Sequence, residues 1–352
     1  MIDISKNRDL ESIANDWAKD VMAFLTDTLA YDNRVTAIYD GNSTQVDKRL
    51  TKYENMFGEK CRIAGVPQDE WQRAWPQLKP YLTDRDKLTA LPDSLETEKE
   101  IINLYSEDIK NALKVTCTAI YNSFTALKAY DYMEKLKIRT CPYCNRHYTF
   151  TVRKNNSGFS TRPEYDHYYD KRTYPHLALA FYNLIPSCKE CNHSKKNQPL
   201  RVHPYKSHFE SKFIIMNQTG NKELDLENIL ALRSEEDFKI RFRKKDSNFN
   251  IREGYIGYYS DPCEEESESI NTLGLEDLYN GHKDYVLELI EKRNSYDRIT
   301  REGIVDEFQG IFHSQTEVFE FIWGRYLEEN AYDNRPLSKF THDILIQLGL
   351  LE

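Results

Sequence analysis

The chain has 352 residues, room for two or three domains and a sizeable core. Its 24 tyrosines and 16 phenylalanines exclude a disordered polymer, and no apolar run approaches the length of a membrane span. The net charge of -9 is unevenly placed: residues 135–209 hold eight Lys and six Arg against Glu164, Asp166, Asp170 and Glu190, a balance of +10 against -19 for the rest. A basic segment in an acidic body suits an anionic polymer held at one site, and argues against a coat protein that binds nucleic acid indiscriminately.

In chain order, the first expected element is a helix. Leu10, Ile13, Trp17, Val21, Phe24 and Leu25 recur at three- and four-residue steps. Residues 33–45, rich in Gly, Asn, Ser and Thr, read as a loop. Trp71 and Trp75 mark a short helix expected to end near Pro76, with both rings in core packing. Asp93 and Glu96 are spaced for a capping box, and neither Pro nor Gly follows until Pro142. One long helix, or two with a kink, is therefore expected across Ile101 to Met133.

Cys141-Pro142-Tyr143-Cys144 and Cys188-Lys189-Glu190-Cys191 form two CxxC pairs. Four thiolates match a closed, tetrahedral structural zinc site, with a redox or disulfide role as the alternative. Cys61, Cys117 and Cys263 remain, widely spaced. With an opening stretch, Met1–Lys6, that lacks a secretory layout, they point to reduced thiols in a cytoplasm. Between the pairs, Tyr148–Val152 has strand propensity and Asn155-Asn156-Ser157-Gly158 is turn-rich, so a hairpin is expected to lead towards Asp166. Pro163-Glu164-Tyr165 reads as the end of a strand, and His176 to Tyr182 as a short helical packing segment. His147, His176, His203 and His208 are read as structural.

Within that stretch, Asp166-His167, then Asn183, then Cys188 and Cys191 followed at once by Asn192 and by Lys195, resemble the HNH nuclease family over about 60 residues. The third position of the family pattern is Asn192 where His is usual, and His193 stands next to it. The resemblance implies a ββα-metal core bracketed by a structural Zn2+ ion on Cys141, Cys144, Cys188 and Cys191. It further implies a metal-dependent endonuclease, with His167 as general base and a divalent ion, Mg2+ or Mn2+, on Asp166 and Asn192. Asn183 would brace the loop that holds His167. The roles make physical sense: imidazole titrates near neutral pH, and oxygen ligands suit a hard ion. Lys195, Lys196, Arg146, Lys171 and Arg172 are the expected contacts to nucleic acid.

Further on, Phe238, Ile240 and Phe242 alternate with Lys239, Arg241 and Arg243, and Lys245-Asp246-Ser247-Asn248 turns into Phe249 and Ile251, an expected hairpin. Its basic face either tracks phosphates or is merely solvated. Asp261 to Glu268 reads as an acidic linker. The stretch Thr272-Leu273-Gly274-Leu275, with a helix and Arg293 after it, loosely resembles the tail of bacterial anti-phage HNH proteins such as the nuclease subunit of Septu systems. Helices are expected over 299–330 and 336–350.

The fold expected is mainly α, with a small α+β, treble-clef-like ββα-metal core and a β-hairpin insertion. The expected organisation is a helical domain at 1–134, the zinc-bracketed nuclease core at 135–210, a hairpin segment at 211–262 and a helical region at 263–352. The resemblance implies DNA as substrate and a role in antiviral defence. It leaves RNA open, and a regulatory ATPase would have to be a separate chain, because no Walker A loop is present here. A homo-oligomer built on the long helix is a further expectation. The competing reading is a zinc module that binds nucleic acid or protein without cutting.

Overall fold

Leu10, Ala14, Trp17, Ala18, Val21 and Leu25 form the buried face of helix α1, Leu10–Thr26, in the computed structural model of this chain. The structure describes residues 1–26, 48–154, 160–245, 259–295, 303 and 315–351. Among these the chain is mainly helical, with a two-stranded and a three-stranded antiparallel sheet. No described helix is long and apolar enough to cross a membrane. The chain divides into two compact units, one of Asn7–Lys137 and Phe150–Pro199, the other of Met1–Lys6, Ile138–Thr149 and Leu200–Glu352.

In the first unit, α1 is followed by α2 (Lys48–Ile63), α3 (Gln68–Leu78), the short α4 (Pro80–Thr83) and α5 (Arg85–Thr89), α6 (Leu95–Asn103) and α7 (Glu107–Leu136). Trp17 sits at its centre. The indole meets Phe124 and Tyr132 edge-on at 4.9 and 4.8 Å, and its N–H donates to the Leu179 carbonyl at 2.8 Å. The sequence places the end of α3 near Pro76, yet the helix runs on to Leu78. Burial of Trp75 and Leu78 on one side outweighs the single hydrogen bond that Pro76 cannot donate.

The long helical pattern resolves into two helices. Ser94, not an Asp93–Glu96 box, caps α6 by accepting from the Thr97 N–H, and extended backbone at Ser106 precedes α7. Glu98 turns inward to accept from the Asp93 N–H at 3.0 Å and to meet His176 Nε2 at 2.8 Å, which gives His176 its structural role.

Strand β1 (Glu164–His167) pairs antiparallel with β2 (Leu184–Ser187), placing Asp166 opposite Ile185 and His167 opposite Leu184. Helix α8 (Lys189–Lys195) follows. Tyr148–Val152 forms isolated bridges, Thr140 with Tyr148 and Val152 with Thr161, in place of a regular strand. The expected turn at 155–158 and the loop at 33–45 lie outside the described residues. Between β1 and β2 the expected helical segment is two 3-10 turns, Pro175–Leu177 and Phe181–Asn183.

The second unit contains β3 (Lys212–Asn217), α9 (Leu226–Ala231), β4 (Phe238–Lys245), β5 (Tyr259–Ser260), α10 (Glu264–Leu273), α11 (Leu275–Asn280), α12 (Lys283–Ser295), α13 (Gln315–Trp323) and α14 (Ser338–Gln347). Phe238, Ile240 and Phe242 are buried, as their alternation requires. β4 pairs with β3 on one side, Ile240 opposite Ile215, and with the short β5 on the other. The expected turn and return strand at 246–251 lie outside the described residues. The basic face of β4 is answered from within the protein, Arg241 by Glu276 and Arg243 by Asp261. The acidic stretch is no linker: Glu264, Glu265 and Glu266 form the first turn of α10, where the helix dipole favours anions. Gly274, at φ 61°, gives the left-handed turn between α10 and α11. Of the helical expectation over 299–330, α13 falls on described residues, and α14 answers that over 336–350.

Phe213 anchors this core, 4.2 Å from both Phe242 and Tyr279 and 5.1 Å from Phe340. Beneath it Lys339 Nζ meets Asp343 Oδ2 at 2.6 Å and donates to the Ser211 carbonyl at 2.9 Å, all of it buried. Burial works to raise the Asp343 carboxyl, but the Lys339 charge, with His342 and Lys212, holds it down at about 2. The stabilisation is therefore complete above the ordinary carboxylate range and is lost as pH falls through about 2. Asp343→Asn should cost about 3 kcal/mol in urea unfolding at pH 7, because it strands the Lys339 ammonium, and the deficit should narrow as the titration approaches pH 2.

Candidate metal centre and candidate active site

Each CxxC pair is shaped by its own backbone. After Cys141, the Asn145 N–H returns to the Cys141 carbonyl at 2.7 Å, and Asn145 itself takes the left-handed conformation at φ 51°. Its side-chain amide donates to Thr140 Oγ1 at 2.9 Å and to the Tyr332 carbonyl at 2.8 Å, which holds the turn rigid. The Arg146 N–H points at Cys144 Sγ at 3.4 Å. In the second pair Cys188 is the N-cap of α8, and the Cys191 N–H points at Cys188 Sγ at 3.5 Å. Amide donors of this kind favour thiolate over thiol. All four side chains are buried, and their sulfur atoms lie within 4.8 Å of one another. Four converging thiols are the donor set of a closed structural zinc site, and this cluster could hold that ion.

Successive strand residues face opposite ways, so Glu164 and Asp166 share one face of β1 while Tyr165 and His167 share the other. On the first face α8 supplies the partners. Asn192 Nδ2 donates to Glu164 Oε2 at 2.7 Å. One turn on, Lys195 Nζ lies 3.2 Å from Asp166 Oδ2 and donates to the His167 carbonyl at 2.8 Å. Lys195 is 0% exposed. It is therefore an internal counter-ion and not the nucleic-acid contact expected of it. The oxygens of Glu164, Asp166 and Asn192 are of the type a hard divalent ion takes. As they stand, though, Asp166 is engaged by Lys195 and the donors present no open set, so the residues do not fit such an ion without rearrangement.

On the second face, His167 Nε2 lies 3.1 Å from the Ala178 carbonyl. A carbonyl only accepts, so Nε2 carries the proton and Nδ1 the lone pair. Burial, and next the charge of Lys171, push the imidazole pKa down to about 3, so the ring is neutral across physiological pH. The Tyr121 ring, from α7, meets it edge-on at 4.7 Å. Asn183 accepts from the Tyr169 N–H at 2.8 Å and donates to the Tyr169 and Leu177 carbonyls at 3.1 and 3.0 Å. It thus ties down the irregular backbone between His167 and β2.

Of the other expected contacts to nucleic acid, Lys196 and Arg172 are exposed and Lys171 is half-buried. Arg146 Nε donates to His282 Nε2 at 3.0 Å. Glu164 and Tyr121 were not among the sequence candidates. Period-two alternation from Asp166 points to Glu164; no local signal points to Tyr121.

No family model, curated protein or solved structure matches this chain.

Purified protein should carry one equivalent of zinc, and Co2+ substitution should give the thiolate charge-transfer and tetrahedral d–d bands of a four-sulfur site. Cys188→Ser with Cys191→Ser should abolish both. Loss of metal with unchanged thermal stability would show that the cluster has no structural role.

Proposed function

We propose that this chain is an HNH-type endonuclease that hydrolyses phosphodiester bonds of DNA, with His167 as the general base. The observation that carries the reading is the His167–Ala178 hydrogen bond, which leaves Nδ1 of a neutral imidazole as the proton acceptor. Beside it the Lys171 ammonium is available to an anion. In this reading Nδ1 takes a proton from water, the hydroxide attacks phosphorus, and the P–O bond to the leaving oxygen breaks. Burial is the larger cause of the low imidazole pKa, and a phosphate next to Lys171 offsets only the smaller part that the ammonium contributes. Mg2+ or Mn2+, when bound at Asp166 and Asn192, would supply charge neutralisation on the phosphate, and binding there requires Lys195 to release the Asp166 carboxylate. The resemblance to anti-phage HNH proteins supports a defence effector controlled by a separate ATPase, with RNA as the alternative substrate.

A second reading is favoured by one specific observation, the Lys195–Asp166 pair. A carboxylate already neutralised by a buried lysine suits a zinc module that binds nucleic acid or a protein without cutting.

Cleavage of supercoiled plasmid with Mg2+ or Mn2+ separates the two. Wild type should nick or linearise it, while His167→Ala, with its zinc retained, should be slower by about 10²–10⁴. Cleavage that persists undiminished in His167→Ala would sink the assignment of the base. Wild type that binds DNA yet leaves plasmid and RNA intact, with both metals and candidate partners present, would favour the non-catalytic module.

A further inference from the structure

The placement of Lys171 is explained neither by the thiol cluster nor by the base. Its Nζ stands 4.5 Å from the centroid of the Tyr121 ring. No carboxylate of the described residues lies within ion-pairing distance of it. Asp170, its neighbour in sequence, is turned to Thr173, accepting from its backbone N–H and its hydroxyl, both at 3.2 Å. Burial lowers the Lys171 pKa, with Asp170 and Asp166 pulling the other way from a distance. A half-buried ammonium without a counter-ion is costly until an anion arrives, and a compact ammonium is well suited to phosphate.

The same Tyr121 ring touches His167, at 4.7 Å between centroids. One aromatic side chain of α7 thus carries both the cation and the imidazole. The ring is 8% exposed and belongs to a 30-residue helix, so its position is set by core packing and not by the loop that bears Lys171. A cation over such a ring is held by the quadrupole without being neutralised, which a carboxylate partner would do.

We propose that Tyr121 is a positioning residue, whose ring holds Lys171 beside His167 so that the ammonium receives a phosphate oxygen within reach of the imidazole. That the phosphate belongs to a phosphodiester rests on the nuclease reading; the binding of phosphate does not.

The test is titration of inorganic phosphate, followed by phosphorus NMR line width at fixed pH and ionic strength, on the zinc-loaded full chain. Lys171→Met should weaken binding by about tenfold or more, and Lys171→Arg by under about threefold. Tyr121→Phe keeps the ring and should bind like wild type. Tyr121→Leu should lose several-fold in affinity, and in plasmid cleavage its KM should rise more than its kcat falls. Each variant is checked for zinc content and melting temperature; should Tyr121→Leu misfold, Lys171→Met and Tyr121→Phe still decide. Equal phosphate affinity in Lys171→Met and wild type overturns the proposal, as does a Tyr121→Phe loss equal to that of Tyr121→Leu. Phosphate binding that depends on Lys171, without any cleavage even with both metals and candidate partners present, upholds the proposal and sinks the nuclease reading. Cleavage with phosphate affinity indifferent to Lys171 does the reverse.

Discussion

The ammonium of Lys195 is sealed from solvent, and a charge in that position persists only with its partners in place. Two of them are consecutive residues of β1: the Asp166 carboxylate and the His167 carbonyl. The contact pins α8 to the last residues of the strand. Because β2 runs straight into Cys188, and Cys188 caps α8, one short run of chain sets the strand pairing, the second thiol pair and the orientation of the helix. Loss of Asp166 would leave the buried Lys195 ammonium without this carboxylate, so the pair constrains what is built on β1.

The two faces of β1 consequently differ in electrostatic character. On the Asp166 face every polar group named is matched, Glu164 by Asn192 and Asp166 by Lys195. On the His167 face the imidazole is neutral, and Lys171 stands over an aromatic ring with no carboxylate of the described residues at ion-pairing distance. The anion site proposed above therefore belongs to the second face and not to the first. The irregular backbone that presents the second face is held by Asn183, whose three hydrogen bonds reach both ends of the loop. One of these bonds goes to Leu177, the residue before Ala178, whose carbonyl faces His167 Nε2.

Legibility in the sequence followed the range of the physics involved. The CxxC pairs were readable because metal-ligand spacing is local. The sequence ends a strand at Tyr165, whereas β1 begins at Glu164 and carries Asp166 and His167 itself; Asn183 stands out by its order along the chain. Lys195 was misread for a definite reason: its three-residue spacing from Asn192 puts both on one side of α8 but does not say that this side is covered. Tyr121 was invisible, since its role depends on α7 packing against a loop 50 residues later in sequence. Of the two alternatives, one long helix or two, the structure has two, and extended backbone at Ser106 separates them without any Pro or Gly. β3 was missed because Phe213–Met216 is continuously apolar and shows neither a helical nor an alternating period.

A closed four-thiol centre has no open coordination position, so zinc there can neither activate water nor hold a phosphate. It contributes rigidity. The enzyme reading and the silent-module reading therefore share the whole of the cysteine chemistry, and zinc content cannot choose between them. They part at Asp166. If Lys195 is its permanent partner, the strand is a structural element beside an anion site. If a divalent ion can take the carboxylate from Lys195, Asp166 and Asn192 would hold it on the face of β1 opposite His167, where it would supply positive charge for phosphodiester hydrolysis.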